Sequence, residues 1–166
     1  MEIRRAVATD REAIREVARE TWHDTYGELE AATIDRVVEE WYADDELEAA
    51  IGGWDADVEL ESALFVAEVD GEVVGFTHGI VTDEGGDVLR MYVHPDHQGA
   101  GIGTALHDRL VEALEAFGVD RLRALDLASN EASRRFYEGL DFERTAEATV
   151  ELDGERYAEA IYTLER

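Results

Sequence analysis

The sequence predicts a mixed α/β sheet, of α+β type, with its elements in the order βααβββαβαββ. Three observations carry this. Three β-rich runs follow one another between residues 64 and 93, which points to antiparallel pairing in that part of the chain. A strand–helix–strand unit over residues 88–127 points to a parallel crossover. Helical apolar spacing flanks the strand run on both sides, which places helices on both faces of the sheet.

Residues 3–8 read as the first strand. Thr9-Asp10-Arg11-Glu12 is a capping-box pattern able to open a helix, and Ile14, Val17, Ala18 and Trp22 then follow helical spacing. Ile34, Val37, Val38, Trp41 and Tyr42 mark a second helix, and residues 52–62 read as a loop. The strands expected over 64–69 and 73–81 are joined by Asp70-Gly71, a hairpin signal because both residues tolerate positive φ. The strand over 88–93 is closed by His94-Pro95. Ile102, Leu106, Leu110, Leu114 and Phe117 form one helical face, with Gly118 placed to end it. A strand over 121–127 and a helix over 131–140 follow, then two strands around Asp153-Gly154. No repeat or linker interrupts the chain, so residues 1–166 are expected to form one domain.

Composition narrows the function. With 45% apolar residues the chain can build a core, yet no apolar run approaches the roughly 18–20 residues of a membrane span. Met1-Glu2-Ile3-Arg4-Arg5 lacks the apolar stretch of a secretory signal, so a cytoplasmic location is expected. The absence of cysteine excludes disulfides, thiolate metal sites and a cysteine nucleophile. The net charge is −26, and all 15 basic residues are arginine. Such an acidic surplus repels phosphate backbones and argues against nucleic-acid binding.

One segment carries chemistry. After the strand at 88–93, Gln98-Gly99-Ala100-Gly101-Ile102-Gly103-Thr104 places three glycines within five positions at the start of a long helix. Glycine lets main-chain N–H groups turn toward a ligand, and a helix N-terminus adds unpaired donors and a positive dipole end. The result is a cradle for a phosphate or diphosphate that needs no basic side chain. A Walker-type loop is excluded because the chain has no lysine. The Gly-x-Gly-x-Gly spacing also departs from the dinucleotide fingerprint.

Gln98-x-x-Gly101-x-Gly103 resembles the acetyl-CoA diphosphate loop of the GNAT superfamily of N-acyltransferases, Gln/Arg-x-x-Gly-x-Gly/Ala. A second block, Asn130-Glu131-Ala132-Ser133-Arg134-Arg135-Phe136-Tyr137-Glu138-Gly139-Leu140-Asp141-Phe142, resembles that superfamily's Asn-x-x-(Ala/Ser)-x-x-Phe-Tyr-Glu-x-x-Gly-Phe segment. The element order agrees as well. Two departures stand out: Ala100 where many relatives carry a basic residue, and Asp141 in place of the usual glycine.

The resemblance implies an antiparallel N-terminal half, splayed parallel central strands, and acetyl transfer from acetyl-CoA to a primary amine by direct attack on the thioester. It implies that Gln98, Gly99, Ala100, Gly101, Ile102, Gly103 and Thr104 surround the diphosphate. Met91 and Val93 would offer main-chain bonds to the pantetheine arm, with Asn130 and Ser133 along it. Asn130 is equally a natural helix N-cap. Arg134 and Arg135 could meet phosphates or form a solvated face. Tyr137 is the candidate general acid, with a core tyrosine as the plainer reading. His78 is the first candidate base, with Glu68, Asp87 or a water chain as others; its plainer reading is a structural histidine. The resemblance also implies that the region of Trp22, His23, Tyr26, Trp41, Tyr42 and Trp54 shapes the acceptor site, although Trp22 and Trp41 themselves read as core. No metal is expected, because His94-Pro95-Asp96-His97 lacks a third ligand. The acceptor would be a small-molecule amine or a protein N-terminus, and a homodimer is open. The alternative is a non-catalytic acyl-CoA-binding module on the same fold.

The charge predicts adaptation to molar internal salt, since at about 1 M the Debye length falls to about 3 Å and self-repulsion is screened. The urea midpoint is expected to rise steeply between 0.1 and about 2 M KCl; a constant midpoint contradicts this reading.

Overall fold

Alternating burial sorts the strands onto two faces. Leu64 and Val66 enter one core, while Ala63, Phe65 and Ala67 enter the other. The computed structural model describes residues 1–52 and 62–165. Its elements are β1 (Glu2–Arg5), α1 (Arg11–Thr25), α2 (Ala31–Trp41), α3 (Asp44–Gly52), β2 (Ser62–Val69), β3 (Glu72–Thr82), β4 (Gly85–Val93), α4 (Ile102–Glu115), β5 (Arg121–Leu127), α5 (Glu131–Gly139), β6 (Glu143–Leu152) and β7 (Glu155–Glu165). The sheet has seven strands in the order β1-β2-β3-β4-β5-β7-β6. Every pairing is antiparallel except that of β4 with β5.

The helices cover both faces. Ile14, Val17 and Trp22 of α1 and Ile34, Val37 and Val38 of α2 share a core with Phe76 and Tyr92 of the sheet. Leu106, Leu110 and Leu114 of α4 are fully buried on the opposite face, with Val88, Leu122 and Tyr137. Each such leucine contributes about 1.5–3 kcal/mol on leaving water. Both Asp-Gly hairpins turn as their sequence predicts: Asp70 and Gly71 have φ of 52° and 82°, and Asp153 and Gly154 have 50° and 85°. Asp141 holds the left-handed turn before Phe142, at φ 70°.

Three expectations need correction. The first strand ends at Arg5, and the Thr9-x-x-Glu12 box does not cap α1. Instead Asp10 turns inward, accepting the Val7 N–H at 2.8 Å and two bonds from the Arg4 guanidinium at 2.8 and 3.0 Å. A third helix, α3, was not expected; only Leu47 of its side chains is well buried, so its apolar pattern is faint, while Asp44, Asp45 and Glu46 suit a helix N-terminus. Most of the loop predicted over 52–62 lies outside the described residues.

The feature that makes a site is a parting of the central strands. His78 pairs with Arg90 but Gly79 pairs with Val88, so Leu89 is an extra residue that bulges β4. At the same point the parallel ladder stops: Gly86, Asp87 and Val88 face Leu122, Arg123 and Ala124, and no pairing follows. Beyond it β4 and β5 diverge.

His78 sits across β2 and β3, its Nε2 2.7 Å from the Ser62 hydroxyl. Burial, and then the Arg90 charge, push its pKa down to about 4. The unfolded ring takes a proton at about 6.5, so stability conferred by the neutral folded ring is complete above that pH and lost as pH falls toward 4. His78→Gln is expected to lose about 1–2 kcal/mol less than wild type between pH 7.5 and 5, in urea melts in molar KCl. Equal losses contradict the assignment.

Candidate active site

The chain enters α4 through two left-handed glycines, Gly99 and Gly101, both at φ 81°. A side chain there costs about 1–2 kcal/mol, so the turn selects glycine. Gly101 is the N-cap and offers no side-chain bond. The first bond of the helix runs from the Ala105 N–H to the Gly101 carbonyl at 3.1 Å. The N–H groups of Ile102, Gly103 and Thr104 therefore have no acceptor within the helix, and the helix dipole adds positive potential beside them.

These groups border a cleft of about 300 Å³ at the parting of β4 and β5. Its other walls are Thr21 and Thr25 of α1, Met91, Tyr92 and Val93 of β4, His97, Gln98 and Gly99 of the loop, and Asn130, Ala132, Ser133 and Phe136 around α5. A Cβ on Gly103 would lie in van der Waals contact with the Phe136 ring, at 3.4 Å.

A polar hub fixes the far wall. Asp126, near the end of β5, accepts from the Tyr26 hydroxyl at 2.7 Å, the Leu127 N–H at 2.9 Å, the Asn130 amide at 3.3 Å and the Ser133 hydroxyl. Asn130 also donates to the Tyr26 hydroxyl at 3.1 Å and caps α5 by accepting the Ser133 N–H at 3.0 Å. The end of α1, the end of β5 and the start of α5 are thus tied at one carboxylate. Burial raises the Asp126 pKa, against the pull of its donors. Sequence reasoning placed Tyr26 only in the general acceptor region, of which Trp54 lies outside the described residues, and passed over Asp126; the available signal was an acid between two leucines inside a predicted strand.

The expected coenzyme-side residues gather here with one exception. Met91, Val93, Gln98, Gly99, Gly101, Ile102, Gly103, Thr104, Asn130 and Ser133 all line the cleft. Ala100 is exposed and lies outside its walls. The Val93 carbonyl is already engaged, accepting from the Gln98 amide at 2.9 Å and the Thr21 hydroxyl at 3.4 Å. Gln98 thereby braces the loop against β4, and a main-chain bond from Val93 to a pantetheine arm would fall to its N–H.

The acid–base candidates are more scattered. Tyr137 is only 3% exposed, stacked on Tyr162 at 5.6 Å and tilted against Phe142 at 5.3 Å. Its neighbour Phe136, at 5.2 Å, forms the cleft wall in front of it. Burial, followed by the Asp126 charge, raises the Tyr137 pKa and keeps the phenol protonated. His78 is not at the cleft; it lines a second pocket with Trp41, Tyr42 and Arg90. Glu68 pairs with Arg4 at 3.4 Å, and Asp87 holds Arg123 at 2.9 and 2.8 Å. Neither carboxylate reaches the cleft. Arg134 is engaged by Glu138 at 3.1 Å, and Arg135 is exposed outside the cleft. Trp22 is core, with Trp41 packed edge-on against it at 5.6 Å.

Comparison with known proteins agrees with this geometry. Over 78 residues the chain is 38% identical to an acetyltransferase of Pectobacterium atrosepticum, covering 47% of this chain and 55% of that protein. An acetyltransferase of Sodalis glossinidius is 40% identical over the same length and shares. The chain spans about half the length of the curated relatives it matches. Among solved structures, the PaiA N-acetyltransferase of Thermoplasma acidophilum in complex with coenzyme A superposes with a TM-score of 0.85 at 24% identity, over 99% of this chain and 98% of that one. The ribosomal-protein-S18-alanine N-acetyltransferase of Escherichia coli gives 0.68 at 21% identity, over 99% and 92%. At these identities the structures establish a common fold. Residues 12–142 match the acetyltransferase (GNAT) family, and the chain belongs to it.

Proposed function

We propose that the protein is an N-acetyltransferase that carries the acetyl group of acetyl-CoA to a primary amine. The supporting observation is the run of main-chain N–H groups at the start of α4, without acceptors in the helix, beside a cleft between parted strands. That donor set suits a diphosphate and asks for no basic side chain. The neighbour solved with coenzyme A shares the fold over nearly its whole length, which favours the same ligand.

The residues then divide the work. Ile102, Gly103 and Thr104 hold the diphosphate through N–H groups. Gln98 fixes the loop that presents them, and Asn130 and Ser133, clamped on Asp126, form the wall along the arm. Bound acetyl-CoA supplies an activated thioester. Tyr137, which lies buried next to the cleft-lining Phe136 and is kept protonated by that burial, is the group assigned to give its proton to the departing sulfur. A dedicated base is not required for an α-amine, whose reference pKa of about 7.7–8.0 leaves a large neutral fraction at mildly alkaline pH. The acid excess and missing lysine favour a home in molar salt, so assays belong in molar KCl.

One observation favours the alternative of a non-catalytic acyl-CoA-binding module: Phe136, not Tyr137, forms the cleft wall. Two variants separate the readings. Gly101→Ala is expected to let the free loop relax out of its left-handed turn, so that coenzyme A must restore about 1–2 kcal/mol of strain and binds about tenfold more weakly in calorimetry; unaltered affinity with an altered loop contradicts the cradle. Tyr137→Phe is expected to keep coenzyme A affinity within about twofold while thiol release from acetyl-CoA falls about 100-fold or more. Unchanged turnover removes Tyr137 from the chemistry. Tight coenzyme binding with no thiol release across an amine panel supports the non-catalytic module.

A further inference from the structure

The second pocket, of about 190 Å³, lies on the α1–α3 face of the sheet. Its lining is mixed: Leu47, Leu64, Phe76 and Leu89 form an apolar side, and polar atoms supply the larger part of the exposed surface. Into it projects one cation, Arg90, on the same strand whose next three residues line the coenzyme cleft.

Arg90 is unusual in this chain. Nine other arginines sit within 4.0 Å of a carboxylate. Arg90 is more enclosed than most of them, yet among the described residues no carboxylate lies within that distance of it. Its guanidinium lies over the Trp41 ring at 4.5 Å and near Tyr42 at 5.9 Å, with Nη1 donating to the Leu89 carbonyl at 3.0 Å. Asp126 and Glu159 act on its charge only from farther away. Aromatic faces orient a guanidinium without neutralising it, and its planar fork matches a carboxylate. Among the described residues of so acidic a protein, a sheltered cation held by aromatic rings and a main-chain carbonyl, with no carboxylate beside it, suits an anion. His78 beside it is held neutral, and Glu46 stands on the exposed rim.

We propose that Arg90 binds the carboxylate of the acceptor, and that the acceptor is an apolar α-amino acid. The apolar side formed by Leu47, Leu64, Phe76 and Leu89 takes its side chain, and the single carbon between carboxylate and α-amine sets the amine beside β4, toward the coenzyme cleft. This inference rests on the acetyl-transfer reading for the chemistry, but its binding claim stands apart from turnover.

The test is titration of leucine and leucinamide in molar KCl, followed by tryptophan fluorescence, since Trp41 lies under Arg90. Wild type is expected to bind leucine at least about 30-fold more tightly than leucinamide, from a charge-assisted pair. Arg90→Gln is expected to reduce that ratio below about threefold, and Arg90→Lys to leave an intermediate value. Coenzyme A affinity, measured in parallel, reports that the variants are folded. Equal binding of the two ligands by wild type, or a preference that survives in Arg90→Gln, overturns the proposal. Leucine held through Arg90 without thiol release supports this inference and removes acetyl transfer. Thiol release with simple amines and no preference for leucine does the reverse.

Discussion

The site depends on where two strands stop sharing hydrogen bonds. β4 and β5 pair over Gly86–Val88 and Leu122–Ala124, and then part at the Leu89 bulge. Main-chain donors and acceptors inside a protein need partners, so a sheet cannot be opened at its centre without replacements. Here polar side chains supply part of them: Asp126, Tyr26, Asn130 and Ser133 knit the parted end of β5 to α1 and α5. On the β4 side, Met91–Val93 border the cleft, and the Val93 carbonyl takes Gln98 and Thr21 as replacement donors. The parallel pairing is itself forced by the right-handed crossover through α4, which carries the amide-rich N-terminus of that helix to the same opening.

The second constraint is electrostatic. A chain of net charge −26 that holds an anion must do so where its own side chains do not decide the field. Helix-end amides meet that need, because their partial charges come from the main chain and do not depend on composition. Most of the scarce cations are committed to internal pairs such as Arg4–Asp10 and Arg123–Asp87. These hold β1 to the start of α1 and join β4 to β5 at the base of the split. Arg90 is not among these pairs, and its position on the parted strand is what suits it to the role proposed above.

Much of this was legible in the sequence because it is local. Alternating apolar residues define β2 and β3, helical spacing defines α4, and Asp70-Gly71 and Asp153-Gly154 fix hairpins through positive φ. Gly99 and Gly101 announce the anion cradle by the same logic. What stayed hidden requires contacts between distant residues. Tyr26 and Asp126 are 100 positions apart, and nothing near either one announces the bond between them. His78 lies on a strand whose alternation shows that it has a face, but not which pocket that face meets. Tyr137 and Phe136 are adjacent in a helix, and only packing against Tyr162 and Phe142 decides which ring is buried and which lines the cleft. α3 was missed because a short acidic helix with one buried leucine carries almost no apolar period.

The central claim is that main-chain amides, and not side chains, grip the coenzyme's diphosphate. The most direct measurement is the amide proton spectrum of ¹⁵N-labelled protein titrated with coenzyme A and with pantetheine in molar KCl. The account predicts downfield shifts of the Ile102, Gly103 and Thr104 amides with coenzyme A that pantetheine, lacking the diphosphate, does not produce. Saturating coenzyme A that leaves those amides unmoved, or shifts concentrated on arginine side chains elsewhere, would contradict it.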